Sequence, residues 1–329
     1  MTTALGLPLL LMGFIEGDDD APTVTETDGT SGDDTINGGD DWDLISGLEG
    51  NDDLTGGDGL DTLLGHEGED LLIGNNGNDM LCSGEGDDVI SGNRGNDLIE
   101  GQEGDDFATG DYGNDRLFGN DGDDTLIGGR SMDLVNGGAG DDVVYGGILR
   151  GVPLEEDELL ALRDGASLED IMEAKGLDID MREDDRVDTL RGNMGNDTLF
   201  VGNGDNAAGG QGEDTFNLML DDDNTDMGLA QINDFNAQED TINIVYDVPL
   251  GVSEVTIETD GEDVTIESAG SITLENAGPA VVLNSDNALI NQGSITINDV
   301  DDATGVSLEG GAGRSFTNSG SITLTEDFT

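Results

Sequence analysis

The chain has 329 residues, with 76 Asp and Glu against 10 Lys and Arg and a net charge of −66. Nucleic acid and anionic membrane surfaces are poor partners for such a charge. The single cysteine, Cys82, excludes an internal disulfide.

Residues 1–28 form an N-terminal apolar segment and linker. The apolar run 5–15 falls well short of the roughly 20 residues that a bilayer-spanning helix needs. No Lys or Arg precedes it and no small-x-small cleavage site follows, so a cleaved leader is not the expectation. No other stretch is apolar enough to span a membrane.

From residue 29 to 147 an aspartate recurs every nine residues: Asp34, Asp43, Asp52, Asp61, Asp70, Asp79, Asp88, Asp97, Asp106, Asp115, Asp124, Asp133 and Asp142. Written from Gly119, one unit reads Gly-Asn-Asp-Gly-Asp-Asp-Thr-Leu-Ile, with the aspartate sixth. Position 1 is Gly except at Ser83. Position 4 is Gly except at Asp41 and Ser131, so the pattern specifies the geometry less firmly beside Asp43 and Asp133. Position 8 is Ile, Leu or Val except at Ala108. Glycines at positions 1 and 4 suit backbone angles that other residues resist. One inward apolar residue in the remaining triplet fits a very short strand. Such a strand is stable only when units stack.

If each turn reverses the chain, same-edge turns lie two units apart, as with Asp34 and Asp52. Stacked strands are about 4.8 Å apart, and Ca²⁺ takes oxygen ligands at roughly 2.3–2.6 Å. Two ligand layers one strand spacing apart therefore enclose a calcium ion. Carboxylates, amide oxygens and carbonyls form a hard-cation donor set that favours Ca²⁺ over octahedral Mg²⁺. Thirteen turns make eleven same-edge pairs, hence about 11 Ca²⁺ sites by stacking. Acidity alone would also suit a halophilic cytoplasmic protein, and glycine-rich acidity would suit disorder. Neither explains the register or the apolar eighth position. Without Ca²⁺, stacked carboxylates repel and disorder is the expectation.

These units resemble the RTX (repeats-in-toxin, haemolysin-type calcium-binding) family. The resemblance implies a parallel β-roll with Ca²⁺ between turns, held by the sixth-position aspartates and turn carbonyls. It also implies a secreted or extracellular bacterial protein, with a type I secretion apparatus as a candidate partner and calcium in place of disulfides. The end of the chain, Thr325-Glu326-Asp327-Phe328-Thr329, is similar to the uncleaved signal of that route.

The period lapses over 148–187. Pro153 opens a predicted helix over 154–163, ended by Gly165, and Ser167 caps a second with Leu168, Ile171 and Met172 on one face. This reads as a helical insert that packs on or caps the coils, with partner binding as the other reading. A second short roll with closing strands follows over 188–250. Asp188, Asp197 and Asn206 keep the spacing, and Asp214 follows eight residues later. Leu190, Leu199, Ala208 and Phe216 take the apolar position. Asp188, Asp197 and Asp214 join the metal-ligand candidates, for two or three further sites. Residues 232–235 and 240–242 resemble the closing strand of serralysin-like rolls.

Over 251–329 Ser, Thr, Ile and Val replace the acids. Ser271-Ile272-Thr273-Leu274 recurs from Ser294 and from Ser321. Residues 280–283 and 288–290, then 305–308 and 315–317, lie between these copies. Three short strands per coil resemble the parallel β-helix of autotransporter passengers and filamentous adhesins. The fold class is thus all-β: a β-roll, a small helical insert and a C-terminal β-helix-like coil.

Catalytic constellations are wanting. His66 is the sole histidine and sits in a turn, so neither a zinc protease nor a Ser-His-Asp centre can be assembled. Cys82 reads as a small packing residue. The expected function is a non-enzymatic, secreted or cell-surface calcium-binding structural protein. The alternatives are an adhesin segment that binds a surface or glycan through the C-terminal coil, and a polysaccharide-processing enzyme with its site there.

Overall fold

The computed structural model describes residues 24–147, 154–168, 171, 186–202, 204–220, 230–236 and 240–246, together with strands between residues 255 and 325. Each nonapeptide folds as a turn plus a short strand, and successive strands alternate between two parallel sheets. One sheet runs Val24–Asp28, Trp42–Glu49, Thr62–Glu67, Met80–Glu85 and onward to Gln231–Ile232. The other runs Thr35–Gly39, Asp53–Gly59, Leu71–Gly77, Val89–Arg94 and onward. Every pairing in the first roll joins a residue to its counterpart two units on, for example Leu54 to Leu72 and Leu63 to Leu81. The predicted two-edged flattened coil is therefore present, as an all-β parallel solenoid.

The core is a column of one side chain per strand. Ile45, Leu54, Leu63, Leu72, Leu81, Ile90, Ile99, Leu117, Leu126, Val135 and Val144 are fully buried between the sheets, with Ala108 in the same column. Each buried aliphatic contributes about 1.5–3 kcal/mol. One per nonapeptide is a thin core, which puts weight on what happens at the edges.

The insert loops out of the coil without disturbing it. Leu134 pairs directly with Thr189, on the far side of the insert. Helix α1 (Glu156–Arg163) starts in a capping box, where the Glu155 N–H donates to Glu158 Oε2 at 2.7 Å. Leu154 and Leu159 pack on Leu71, Val89, Phe107, Ile127 and Tyr145, on the outer face of the second sheet. Arg163 pairs with Asp53 of that sheet. This part of the insert is thus a cover for an apolar strip, and both faces of the second sheet are buried beneath it. The second predicted helix is described only at its start, where the Ile171 N–H donates to the Ser167 carbonyl at 3.2 Å. Met172 lies outside the described residues.

After Tyr246 the coil changes from two strands to three. Ser271–Glu275, Ser294–Asn298 and Ser321–Thr325 extend the second sheet, and pair Ser271 to Ser294 to Ser321. Val255–Ile257, Ala280–Leu283 and Gly305–Leu308 form a further sheet, and Val264–Ile266, Leu289–Asn291 and Phe316–Asn318 another. Among the described residues no helix is long and apolar enough to cross a membrane.

Candidate metal centre

The repeat aspartates form two columns, one on each edge of the coil. On one edge the N–H of each donates to Oδ1 of the aspartate one coil ahead: Asp34 to Asp52, then Asp70, Asp88, Asp106, Asp124 and Asp142, at 2.7–3.0 Å. On the other edge the same bond runs from Asp43 through Asp61, Asp79, Asp97 and Asp115 to Asp133. Both columns continue past the insert, from Asp142 to Asp197 and from Asp133 to Asp188. Asp41 and Ser131 do not interrupt them: Asp43 and Asp133 are each 4 % exposed and keep their bonds.

In twelve of these aspartates one carboxylate oxygen is thereby used and the other is not, whereas Asp34 Oδ2 accepts from the Thr30 N–H and hydroxyl. Oδ2 of Asp43, Asp52, Asp61, Asp70, Asp79, Asp88, Asp97, Asp106, Asp115, Asp124, Asp142 and Asp197 is buried without a hydrogen-bond partner. Leaving a buried carboxylate oxygen unsatisfied is costly unless a cation meets it. The electrostatics point the same way. Burial pushes Asp106 and Asp115 up to about 9, neighbouring ladder carboxylates add to the rise, and the N–H each accepts opposes it. Asp88, Asp97, Asp142 and Asp197 rise to about 7 for the same reasons, and Asp124 rises to about 7 through burial and the nearby carboxylates of Asp105, Asp123 and Asp121.

The turn glycines shape the space around these oxygens. A Cβ on Gly74 would stand 2.7 Å from Asp79 Oδ2 and 2.9 Å from the Gly92 carbonyl; on Gly110 it would meet Asp115 Oδ2 at 2.6 Å and the Gly128 carbonyl at 2.5 Å. A carboxylate from one coil and a carbonyl from the next thus face the same small cradle. Position 1 is glycine for space, since Gly74, Gly92, Gly101 and Gly110 do not have positive φ. That corrects the expectation that both glycines answer a backbone need. The left-handed bends fall at position 4, as at Gly104 with φ +133°, and at position 2, where Leu48, His66, Asn75, Asn93, Gln102 and Asn120 have φ of 69–87°. At Ser83, the position-1 exception, the hydroxyl donates to the Gly101 carbonyl at 2.8 Å and is buried.

Calcium fits this donor set. The facing atoms are carboxylate and carbonyl oxygens, which suits a hard cation with an irregular shell. Among the described residues no group of three or more His, Cys, Asp or Glu is placed to hold a metal. An ion between coils would therefore draw on aspartates of successive coils plus main-chain carbonyls.

After the insert the sequence register needs correction. The ladder aspartate after Asp188 is Asp205, whose Oδ1 accepts the Asp188 N–H at 2.8 Å; Asn206 lies outside the column. The apolar position belongs to Ala207, fully buried, rather than to Ala208. The eight-residue step thus falls between Asp197 and Asp205, and the nine-residue step resumes to Asp214. Gly204, at the position-4 offset from Asn206, conceals this; counting backward from Asp214 reveals it. Asp240 extends the same edge as Asp214, accepting its N–H at 3.2 Å.

Three further features go beyond the sequence expectations, the first of them carried by the Asp and Asn that recur at position 5. A second, exposed ladder runs at position 5, where the Asp105 N–H donates to Asp87 Oδ1 at 2.9 Å and the Asn96 N–H to Asn78 Oδ1 at 2.7 Å. Asp111, at position 2, is a buried carboxylate outside the main columns; Ser91 Oγ donates to it at 2.9 Å, and burial raises it to about 6. Arg94 and Arg130 sit over the Tyr112 ring, 5.9 and 5.3 Å from its centroid. His66 lies not in a turn but near the end of the strand Thr62–Glu67, exposed, with Nε2 3.0 Å from Ser46 Oγ. Cys82 is buried, and its thiol is pushed up to about 12.

Comparison with known proteins agrees with the geometry. The family model described as RTX calcium-binding nonapeptide repeat (4 copies) matches residues 28–54, 46–81, 55–90, 83–117, 100–131, 118–148 and 184–208. No curated protein matches the chain. The matched stretches carry RTX repeats, which bind Ca²⁺ at multiple sites.

Proposed function

With residues 28–148 and 184–208 built from RTX calcium-binding repeats, we propose that this protein is a secreted, non-enzymatic structural β-roll that folds when it meets extracellular Ca²⁺. The observation that carries the reading is the column of buried, unpartnered aspartate oxygens. Calcium binding and folding are then one event, because each site requires two stacked coils.

The ligands are the aspartates from Asp34 to Asp142 with Asp188, Asp197 and Asp214, joined by Asp205 and Asp240. Inter-coil aspartate bonds number nine on one edge. They number seven on the other. Among the described residues, sixteen inter-coil positions are therefore offered to Ca²⁺. Extracellular modules bind Ca²⁺ at roughly 10⁻⁴–10⁻³ M, which suits folding after export. A thiol raised by burial and a lone exposed imidazole support a role without catalysis.

The test is circular dichroism with chelator, paired with calorimetric titration. EDTA is expected to abolish most of the β signal, millimolar Ca²⁺ to restore it, and equal Mg²⁺ to fail. A spectrum indifferent to EDTA, or saturation by one or two ions, would overturn the proposal.

A further inference from the structure

At position 3 the two edges of the roll differ in charge over part of their length: one is acidic from Glu49 to Glu103, and the other passes from Asp58 through Asn76 to Arg94 and Arg130. At position 3 on one edge, Glu49, Glu67, Glu85 and Glu103 pair in direct register, rung on rung. All four are exposed. Like charges directly opposite are destabilising, so this rail is primed for cations. It borders a groove of about 630 Å³ that Leu48 and Leu64 also line. Leu48 is 39 % exposed, an uncovered apolar side chain beside the carboxylates.

At position 3 on the opposite edge stand Arg94, Tyr112 and Arg130, bridged strand to strand. Both arginines are exposed, and Tyr112 is 37 % exposed. In a chain with 76 acidic residues, neither arginine has a carboxylate partner among the described residues. The two columns share one rung spacing, about 4.8 Å. Arg94 and Arg130 are two rungs apart, and so are Glu67 and Glu103.

We propose that the Arg94–Tyr112–Arg130 edge of one molecule docks on the glutamate rail of a second copy. Each guanidinium meets an alternate carboxylate, and the tyrosine lies against the apolar lining of the groove. The contact is heterologous, so it propagates head to tail unless the rotation closes. It rests on the calcium-folding reading, since both columns exist only in stacked coils. The net charge opposes association at long range. At the salt of extracellular fluids that repulsion is screened beyond roughly 8 Å, whereas the docked pairs are not.

Sedimentation velocity of the full chain in millimolar Ca²⁺ and physiological salt tests this. The wild type is expected to associate as its concentration rises. R94E/R130E and E67R/E103R are each expected to lose about tenfold or more in association. An equimolar mixture of the two is expected to regain association as alternating copies, because the two reversed edges fit each other and so do the two native ones. Calcium-dependent circular dichroism of every variant is expected to match the wild type, since only exposed side chains change. If a double variant does not fold, R130E and E103R singly carry the comparison. A wild type that folds with Ca²⁺ yet stays monomeric at all concentrations overturns the docking alone, as do variants that associate like the wild type. Arginine-dependent binding of polygalacturonate by a wild type that stays monomeric would assign the edge to an acidic polymer and overturn the second copy. A wild type that does not fold with Ca²⁺ overturns the function proposal instead.

Discussion

Replacing Asp106 by asparagine separates its two tasks. Its Oδ1 accepts the Asp88 N–H at 2.9 Å, and its own N–H donates to Asp124 Oδ1 at 2.9 Å. The amide oxygen of the substituted side chain keeps the first bond, while the charge is lost. In the proposed ligand role, Asp106 would serve two inter-coil sites, one with the coil below and one with the coil above. A site with Kd of 10⁻⁴–10⁻³ M at about 10 mM Ca²⁺ stabilises the fold by about 1.4–2.7 kcal/mol. If both sites fail, Asp106→Asn therefore removes about 3–5 kcal/mol of calcium-linked stability. Without calcium the effect changes sign. The Asp106 carboxyl is raised to about 9 in the fold, against an ordinary value of 3.8. Its stability contribution is complete below about pH 4 and is lost as pH rises through about 9. At pH 7 the unfolded chain is the one that ionises freely, so the wild-type residue opposes folding, and asparagine removes that opposition. Urea unfolding followed by circular dichroism, once with about 10 mM Ca²⁺ and once in EDTA with a stabilising osmolyte, reads both states. An equal loss of stability in Ca²⁺ and in EDTA would refute the reasoning, because the aspartate would then act only as a hydrogen-bond acceptor.

Three more outcomes follow from the same geometry. Since Asp88, Asp97, Asp106, Asp115, Asp124 and Asp142 are all raised, acidifying the calcium-free chain from pH 7 toward pH 4 is expected to increase its β signal. An unchanged or falling signal counts against buried ladder carboxylates. Gly74→Ala pushes a methyl toward Asp79 Oδ2 and the Gly92 carbonyl, for a cost of about 1–3 kcal/mol and a weaker calcium titration; titration and stability equal to wild type would contradict the cradle. Ile90→Ala empties one rung of the core column and should cost about 2–5 kcal/mol in saturating Ca²⁺, read as a shift of the urea midpoint.

The first roll is legible because its structure is local and repeated. A nine-residue unit with Asp at position 6 and an aliphatic at position 8 specifies a two-edged coil, and Leu54, Leu72 and Ile90 stack where the period puts them. The same logic predicts the strands from Ser271, Ser294 and Ser321, which pair in register. Past the insert the signal degrades, because a one-residue deletion leaves two registers open and alanine occupies the apolar position in both. Stacking decides for Asp205 and Ala207, since only those residues continue the column above Asp188.

The sequence by itself determined the period, and with it the parallel coil, the inward aliphatic column and the oxygen-rich turns. Those properties depend on residues within one unit and on its copy two units away. Only the tertiary structure decided how the unit's other positions are used. It showed that position-1 glycine makes room for the carboxylate and carbonyl that crowd its Cα, and that the backbone bends sit at positions 2 and 4. It also placed α1 over Val89 and Phe107, and set the glutamate rail and the arginine pair on opposite edges. Such relations join side chains from different coils, or from the insert, and their meeting is created by stacking.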